Sequence, residues 1–242
     1  MNKTHEHLMQ IYNRLLDHFG PRHWWPARTQ FEVIVGAILT QNVSWKNVEK
    51  AIQNLDRLGL LDPHRLLAAP LEVIEEAVLP TRYYRQKAER LRGFCEFLVR
   101  EYQGELAELF SLDIKELRER LLALKGIGKE TADSIILYAA EKPIFVVDAY
   151  TKRIFYRLGL LPEDAGYDRV QEFFMNHLPP ETGLYNEYHA LIDALGNTLC
   201  ASRKPRCTEC PLEDICGFHS ETSRCISEGE ADGKVSVADT RQ

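Results

Sequence analysis

Two groups of residues in this chain have the types and spacing that chemistry needs. The first is Cys200, Cys207, Cys210 and Cys216, a C-x6-C-x2-C-x5-C run. Four thiols this close in sequence bind metal as thiolates, either a tetrahedral zinc or an iron-sulfur cubane, and thiolate chemistry alone does not separate the two. The second is the stretch LKGIGKETADSIILYAAEKPIFVVDAYT at residues 124–151. Its Lys125-Gly126-Ile127-Gly128-Lys129 turn carries two glycines, which permit positive φ and let backbone N–H groups face outward. Such amides at a helix start form an anion seat. Ile127 should point inward and fasten the turn, leaving Lys125 and Lys129 beside the anion, and a DNA phosphate fits that description. The plainer reading of two such glycines is an ordinary helix-turn-helix with a glycine C-cap. Some twenty residues on stands an isolated carboxylate, Asp148, which is also well placed to cap the helix AYTKRIFYRL.

The elements that must position these groups read as helices. Ile114, Leu117, Leu121 and Leu124 recur at three- and four-residue spacing before the turn, and TADSIILYAAE repeats the pattern after it. Residues 7–19 are amphipathic through Leu8, Ile11, Leu15 and Phe19. Residues 30–43 are nearly continuous in apolar side chains until Thr40-Gln41-Asn42, as expected of a buried central helix with a polar end. Between these two lies an irregular aromatic link with adjacent Trp24 and Trp25, large rings that either pack or recognise a ligand. Helices also fit residues 168–177 and 183–199, and no strand-like alternation longer than a few residues occurs. The expected fold is therefore all-α.

Residues 81–92 are the most basic local window, with Arg82, Arg85, Lys87, Arg90 and Arg92 against Glu89 alone and tyrosines interleaved. That suits a loop that grips phosphates and wedges a base stack, although a solvated basic face is the plainer reading. Arg203, Lys204 and Arg206 likewise crowd the first loop of the cysteine run. Cys95 and Cys225 have no metal-ligand company and read as ordinary thiols. The formal net charge of -6 counts mildly against a general nucleic-acid coat, but binding needs only one local basic face. The first residues lack a secretory leader, and no apolar run is long enough to span a bilayer, so a cytoplasmic, nucleoid-associated location is expected. From about Glu221 the chain is rich in Ser, Glu, Gly and Asp, and a disordered tail is expected over 221–242.

The string hydrophobe-x-Gly-hydrophobe-Gly-x-x-Thr-Ala, followed by Val146-Val147-Asp148, resembles the helix-hairpin-helix (HhH-GPD) DNA glycosylase superfamily, which includes endonuclease III and the adenine and alkyl-base glycosylases. LTQN at 39–42 and the x6-x2-x5 cysteine spacing resemble it too, so the likeness runs from Trp24 to Cys216. The resemblance implies that Gly126 and Gly128, with Lys125 and Lys129, hold a phosphate and that Asp148 serves catalysis. Gln41 would fill the gap left by an extruded nucleotide, and Tyr83 would be the wedge. The four cysteines would hold a [4Fe-4S] cluster, making their basic loop a stiff phosphate contact. Two helical domains are implied, with double-stranded damaged DNA bound in a cleft between them. One is a barrel over 28–139 ending in the hairpin, and the other combines 1–27 with 140–220. The protein is expected to act as a monomer and without a membrane.

Reaction type turns on one position. Bifunctional members of the superfamily carry a lysine two residues after the second hairpin glycine, whose amine attacks C1′ to form a Schiff base. Here that residue is Glu130, which cannot form an imine, and Lys129 beside it is turned away by the roughly 100° between successive helical positions. A monofunctional glycosylase with a water nucleophile is expected, with AP lyase activity absent or weak. Asp148 would stabilise the oxocarbenium sugar, and Glu130 would be a second acid or only a helix cap. Bases that leave readily suit such a site, alkylated purines such as 3-methyladenine above all. Trp24, Trp25 and Trp45 offer faces for cationic bases. The WWP link, FE-x-x-x-GA-x-LTQN and GIGKE together resemble the bacterial 3-methyladenine glycosylase branch, some of whose members lack the cysteine cluster. Gly36 stands where adenine-mismatch glycosylases carry an acid. A bifunctional endonuclease III-type enzyme for oxidised pyrimidines and a non-catalytic lesion-binding protein are the alternatives.

Overall fold

A computed structural model describes residues 3–219; the expected tail and Cys225 lie outside the described residues. Among these residues every regular element is helical, as the periodicity predicts. In chain order they are α1 (Lys3–Phe19), α2 (Gln30–Leu39), α3 (Trp45–Arg57), α4 (Pro63–Ala68), α5 (Leu71–Val78) and α6 (Tyr84–Tyr102). Then follow α7 (Leu106–Ser111), α8 (Ile114–Leu122), α9 (Lys129–Ser134), α10 (Ala149–Arg157), α11 (Tyr167–His177) and α12 (Thr182–Thr198). No helix among the described residues is long and apolar enough to cross a membrane.

The chain forms two compact units. One comprises His23–Val146 and Phe174–Tyr188, and the other comprises the chain up to Arg22, Val147–Phe173 and the chain from His189 on. These boundaries differ from the expected 28 and 139. Trp24 and Trp25 pack on Trp45 and Tyr138, which draws the aromatic link into the first unit. Phe145 stacks on Phe174 at 3.9 Å and meets Tyr185 and Tyr188 edge-on, which does the same for 140–146 and 174–188.

In the first unit α2 is the central rod, buried from Phe31 to Leu39 because it is apolar on every side. It starts where Thr29 accepts from the Glu32 amide and ends at Thr40, whose amide and hydroxyl both donate to the Gly36 carbonyl. The pair α8 and α9 carries the hairpin. It is clamped by a two-pronged ion pair from Arg118 to the fully buried Asp133, at 2.6 and 3.1 Å. Beyond α9 the helix loosens into one π turn, Ile135–Ala139, buried throughout. In the second unit Asp148 heads α10, and Arg157 near its end donates to the carbonyls of Ala201 and Ser202, anchoring the cysteine loop.

Candidate functional site

The hairpin has the shape expected of it, with one correction. Gly126 has φ +85 and lies under the side chain of Arg90, so no other residue fits there. Gly128 is not left-handed: at φ -91 it is the extended N-cap of α9, and open space surrounds the place a side chain would take. Its use is bareness, because nothing obstructs approach to the amides of the first turn. Ile127 is buried, while Lys125, Lys129 and Glu130 are exposed.

Gln41 does not project from the end of α2. Its amide donates to the Gly126 carbonyl at 3.2 Å and to the Thr131 hydroxyl at 2.8 Å, and its carbonyl oxygen accepts from Arg90. The helix cap belongs to Thr40, so Gln41 is a strut between the polar end of α2 and the hairpin. Tyr83, by contrast, is 66% exposed and holds a left-handed backbone, φ 52 and ψ 32, at the head of α6. Arg82 and Arg85 beside it are exposed, but Lys87 leaves the basic face altogether. It is 1% exposed and donates to the carbonyls of Leu39 at 2.8 Å and Thr81 at 3.1 Å. Burial, with Arg90 nearby, pushes its ammonium down to about 8.

The three tryptophans meet. Ring centroids are 4.7 Å apart for Trp24 and Trp45, 5.4 Å for Trp25 and Trp45, and 5.2 Å for Trp25 and Tyr138 of the π turn. The Trp25 indole N–H is buried with no hydrogen-bond partner.

In the other unit Asp148 does cap α10: one carboxylate oxygen accepts from the Thr151 amide and hydroxyl, both at 2.7 Å. Its other oxygen faces His189 at 3.8 Å, and both side chains are 13% exposed. Of the loop cations, Arg203 and Lys204 are exposed, whereas Arg206 is engaged by Glu209 at 3.1 Å and by the Thr198 carbonyl at 2.8 Å. Cys95 is fully buried, and burial pushes its thiol up to about 12, as befits an inert packing residue. The cysteines of the run are all half-buried. Burial, then Cys200, Cys216 and Cys207, pushes the Cys210 thiol up to about 11, so these thiols feel one another's charge. Arg157 donates to the Cys200 sulfur at 3.1 Å. Among the described residues no three His, Cys, Asp or Glu side chains form a site for a single metal ion.

A family model for the HhH-GPD superfamily base excision DNA repair proteins matches residues 35–180, from α2 through the hairpin and Asp148 to the start of α12. This chain belongs to that superfamily. The glycosylase is 46% identical over 213 residues to a Methanocaldococcus jannaschii protein assigned as a DNA repair glycosylase, covering 87% of this chain and 96% of the relative. It superposes with a TM-score of 0.79 and 25% identity on a trapped endonuclease III–DNA covalent intermediate, covering 93% of this chain and all of the other. For the H. pylori 3-methyladenine DNA glycosylase bound to 1,N6-ethenoadenine, the TM-score is 0.67 and the identity 29%, over 79% and 96% of the two chains.

The glycosylase therefore acts in base excision repair, and its helix-hairpin-helix lies within the residues that match the family. Several partners of the expected residues escape a reading of the sequence: Thr131 beside Gln41 and Tyr138 in the aromatic cluster of the first unit, and His189 and Asp193 beside Asp148 in the second. The i, i+4 spacing of His189 and Asp193 on α12 was the one signal available for the last pair.

Proposed function

We propose that this glycosylase hydrolyses the N-glycosidic bond of alkylated purines such as 3-methyladenine and leaves the DNA backbone intact. The observation that carries the reading is the cluster of Trp24, Trp25 and Trp45, three indoles gathered beside Tyr138 of the π turn. Electron-rich rings attract a purine made cationic by methylation. The likeness to the H. pylori 3-methyladenine enzyme supports the same substrate class.

Asp148 is the carboxylate of the reaction on this reading. Anchored through one oxygen by Thr151, it turns the other toward developing positive charge on the sugar and orients the attacking water. Glu130, exposed on the first turn of α9, replaces the amine that a Schiff-base mechanism needs, and Lys129 faces phosphate together with Lys125. Tyr83 wedges the duplex, Gln41 enters the vacated stack on release from its struts, and Arg203, Lys204 and Arg206 contact phosphate. The protein binds double-stranded damaged DNA as a monomer.

Cys200, Cys207, Cys210 and Cys216 would hold a [4Fe-4S] cluster. Mutually interacting thiols on one loop, with an arginine donating to a sulfur, fit that donor set. Bound, the cluster fastens the loop that carries the cations.

The test is a panel of duplexes each with one defined lesion, assayed separately for released base and for strand nicking. Release of methylated purine without a nick until alkali is added is the expected result. The runner-up is a bifunctional endonuclease III-type reaction, favoured by the likeness to the trapped covalent intermediate. A borohydride-trapped protein–DNA adduct, lost on Lys129→Ala, would move the assignment there.

A further inference from the structure

The two oxygens of Asp148 are in different circumstances. Oδ1 is occupied by the helix cap, accepting from the amide and hydroxyl of Thr151. Oδ2 faces Nε2 of His189 on α12 at 3.8 Å, with both side chains largely withdrawn from water. One turn further along α12 lies Asp193. Burial raises its carboxyl first; His189 and a hydrogen bond from Asn197 lower it, and Asp148 raises it. Asp193 accepts from the Asn197 amide at 2.9 Å, and the Asn197 carbonyl accepts from the Tyr150 hydroxyl at 2.6 Å. Tyr150 is two residues beyond Asp148, and its ring lies against Gly196 of α12, where no larger residue fits. The contacts thus form a ring that starts and ends at the head of α10.

A capping aspartate needs none of this. Two carboxylates that repel each other in a poorly hydrated place are tolerable when a cation faces both, and an imidazolium at the position of His189 does so.

We propose that His189, backed by Asp193, is a positioning residue for base release: as an imidazolium it holds Oδ2 of Asp148 in place while positive charge builds on the sugar. This inference rests on the reading of Asp148 as the reacting carboxylate. The groups facing this array are Asp148, Tyr150 and Arg153 from α10, Asp193 from α12 itself and Arg22 from the first segment. Burial, then Asp193 and Asp148, raises the Tyr150 phenol above its ordinary value. Imidazole is the side-chain type whose charge depends on pH near neutrality, and without that charge nothing on α12 would face the two carboxylates with a cation.

The experiment is single-turnover base release, on the lesion duplex from the panel that the native chain excises, from about pH 6 to about pH 9. Native protein is compared with His189→Gln, His189→Ala, Asp193→Asn and Asp148→Asn, with DNA affinity and thermal melting measured for each. The native rate should fall toward alkaline pH. His189→Ala should be slower by roughly tenfold to a hundredfold with DNA affinity kept, as for other partners that orient a reacting group. His189→Gln, which keeps an uncharged N–H group at this place, should recover part of that loss and show no alkaline fall. Asp193→Asn removes an anion from the imidazolium and should move the fall to lower pH. If His189→Gln keeps both the native rate and the alkaline fall, or if the losses lie wholly in DNA affinity, the proposal is overturned. Should His189→Gln melt early, Asp193→Asn decides: an unmoved alkaline fall overturns the proposal. Retained base release by Asp148→Asn would instead overturn the reading of Asp148, and is told apart because it involves no change at His189.

Discussion

The indole of Trp25 lies in the space that a side chain at residue 36 would occupy: a Cβ on Gly36 would fall 2.9 Å from Cζ2 of Trp25 and 3.1 Å from its Nε1. The absent side chain of the central helix is thus what seats the aromatic cluster. Gly36 was conspicuous in the sequence only as a missing acid, and the geometry gives it a positive use.

A paired substitution tests that relationship. Alanine for a glycine inside a helix ordinarily stabilises by about 0.5–1 kcal/mol, and Gly93→Ala, with nothing within 4 Å on the exposed face of α6, should do so. Gly36→Ala should instead destabilise, by about 1–3 kcal/mol, because Trp25 is hemmed in by Trp24, Trp45 and Tyr138 and cannot retreat. Chemical denaturation of both variants, with tryptophan fluorescence as the probe, checks the opposite signs. Equal gains would mean that the cluster is loosely seated.

Trp45→Ala should reduce release of cationic methylpurines more than release of neutral bases. Removing an indole face removes cation–π attraction of about 0.5–2 kcal/mol, felt by charged bases beyond the lost stacking that both kinds share. Single-turnover rates on matched lesions measure the difference, and equal losses would leave Trp45 a packing residue.

Lys87→Met should destabilise the first unit, since the carbonyls of Leu39 and Thr81 lose a buried donor, at about 1–3 kcal/mol. The deficit should also depend on pH. Burial holds the Lys87 ammonium at about 8 in the folded chain against the ordinary 10.5, so between these limits the unfolded chain binds the extra proton and the native protein gains stability as pH rises. Below about pH 8 the ammonium is charged in both states and that gain is absent. Denaturation midpoints of native and variant proteins should therefore diverge above about pH 8, by about 1 kcal/mol per pH unit at most. A pH-independent deficit would mean that the lysine is not desolvated.

Purified protein made with ample iron should carry iron and inorganic sulfide in equal amounts, and Cys207→Ser should lose them. DNA affinity should fall more than the rate on bound substrate, since the loop with Arg203 and Lys204 is unfastened while Asp148 is untouched. Stoichiometric zinc in the native protein would refute the cluster. Metal analysis with salt-dependent DNA binding measures both effects.

Much of this protein was legible in the sequence because its signals are local. Helix periodicity gave an all-α fold, Asp148 announced the start of its helix, and Ile127 was expected to point inward from the glycine turn, where it is buried. Whether a polar side chain is free to act was decided by tertiary structure alone. Lys87 belongs by sequence to a basic stretch, yet the end of α2 needs a donor for the Leu39 carbonyl, and folding carries the lysine inside to supply it. Gln41 is claimed by Thr131, some ninety positions away, Arg206 by the carbonyl of Thr198, and Trp25 by the bare face of Gly36. His189 and Asp193 gain meaning only when α12 sets them beside Asp148, because the energy of a charge depends on which charges and how much water surround it. Spacing along the chain fixes which residues share a helix face; distances between charges on different helices exist only once the chain has folded.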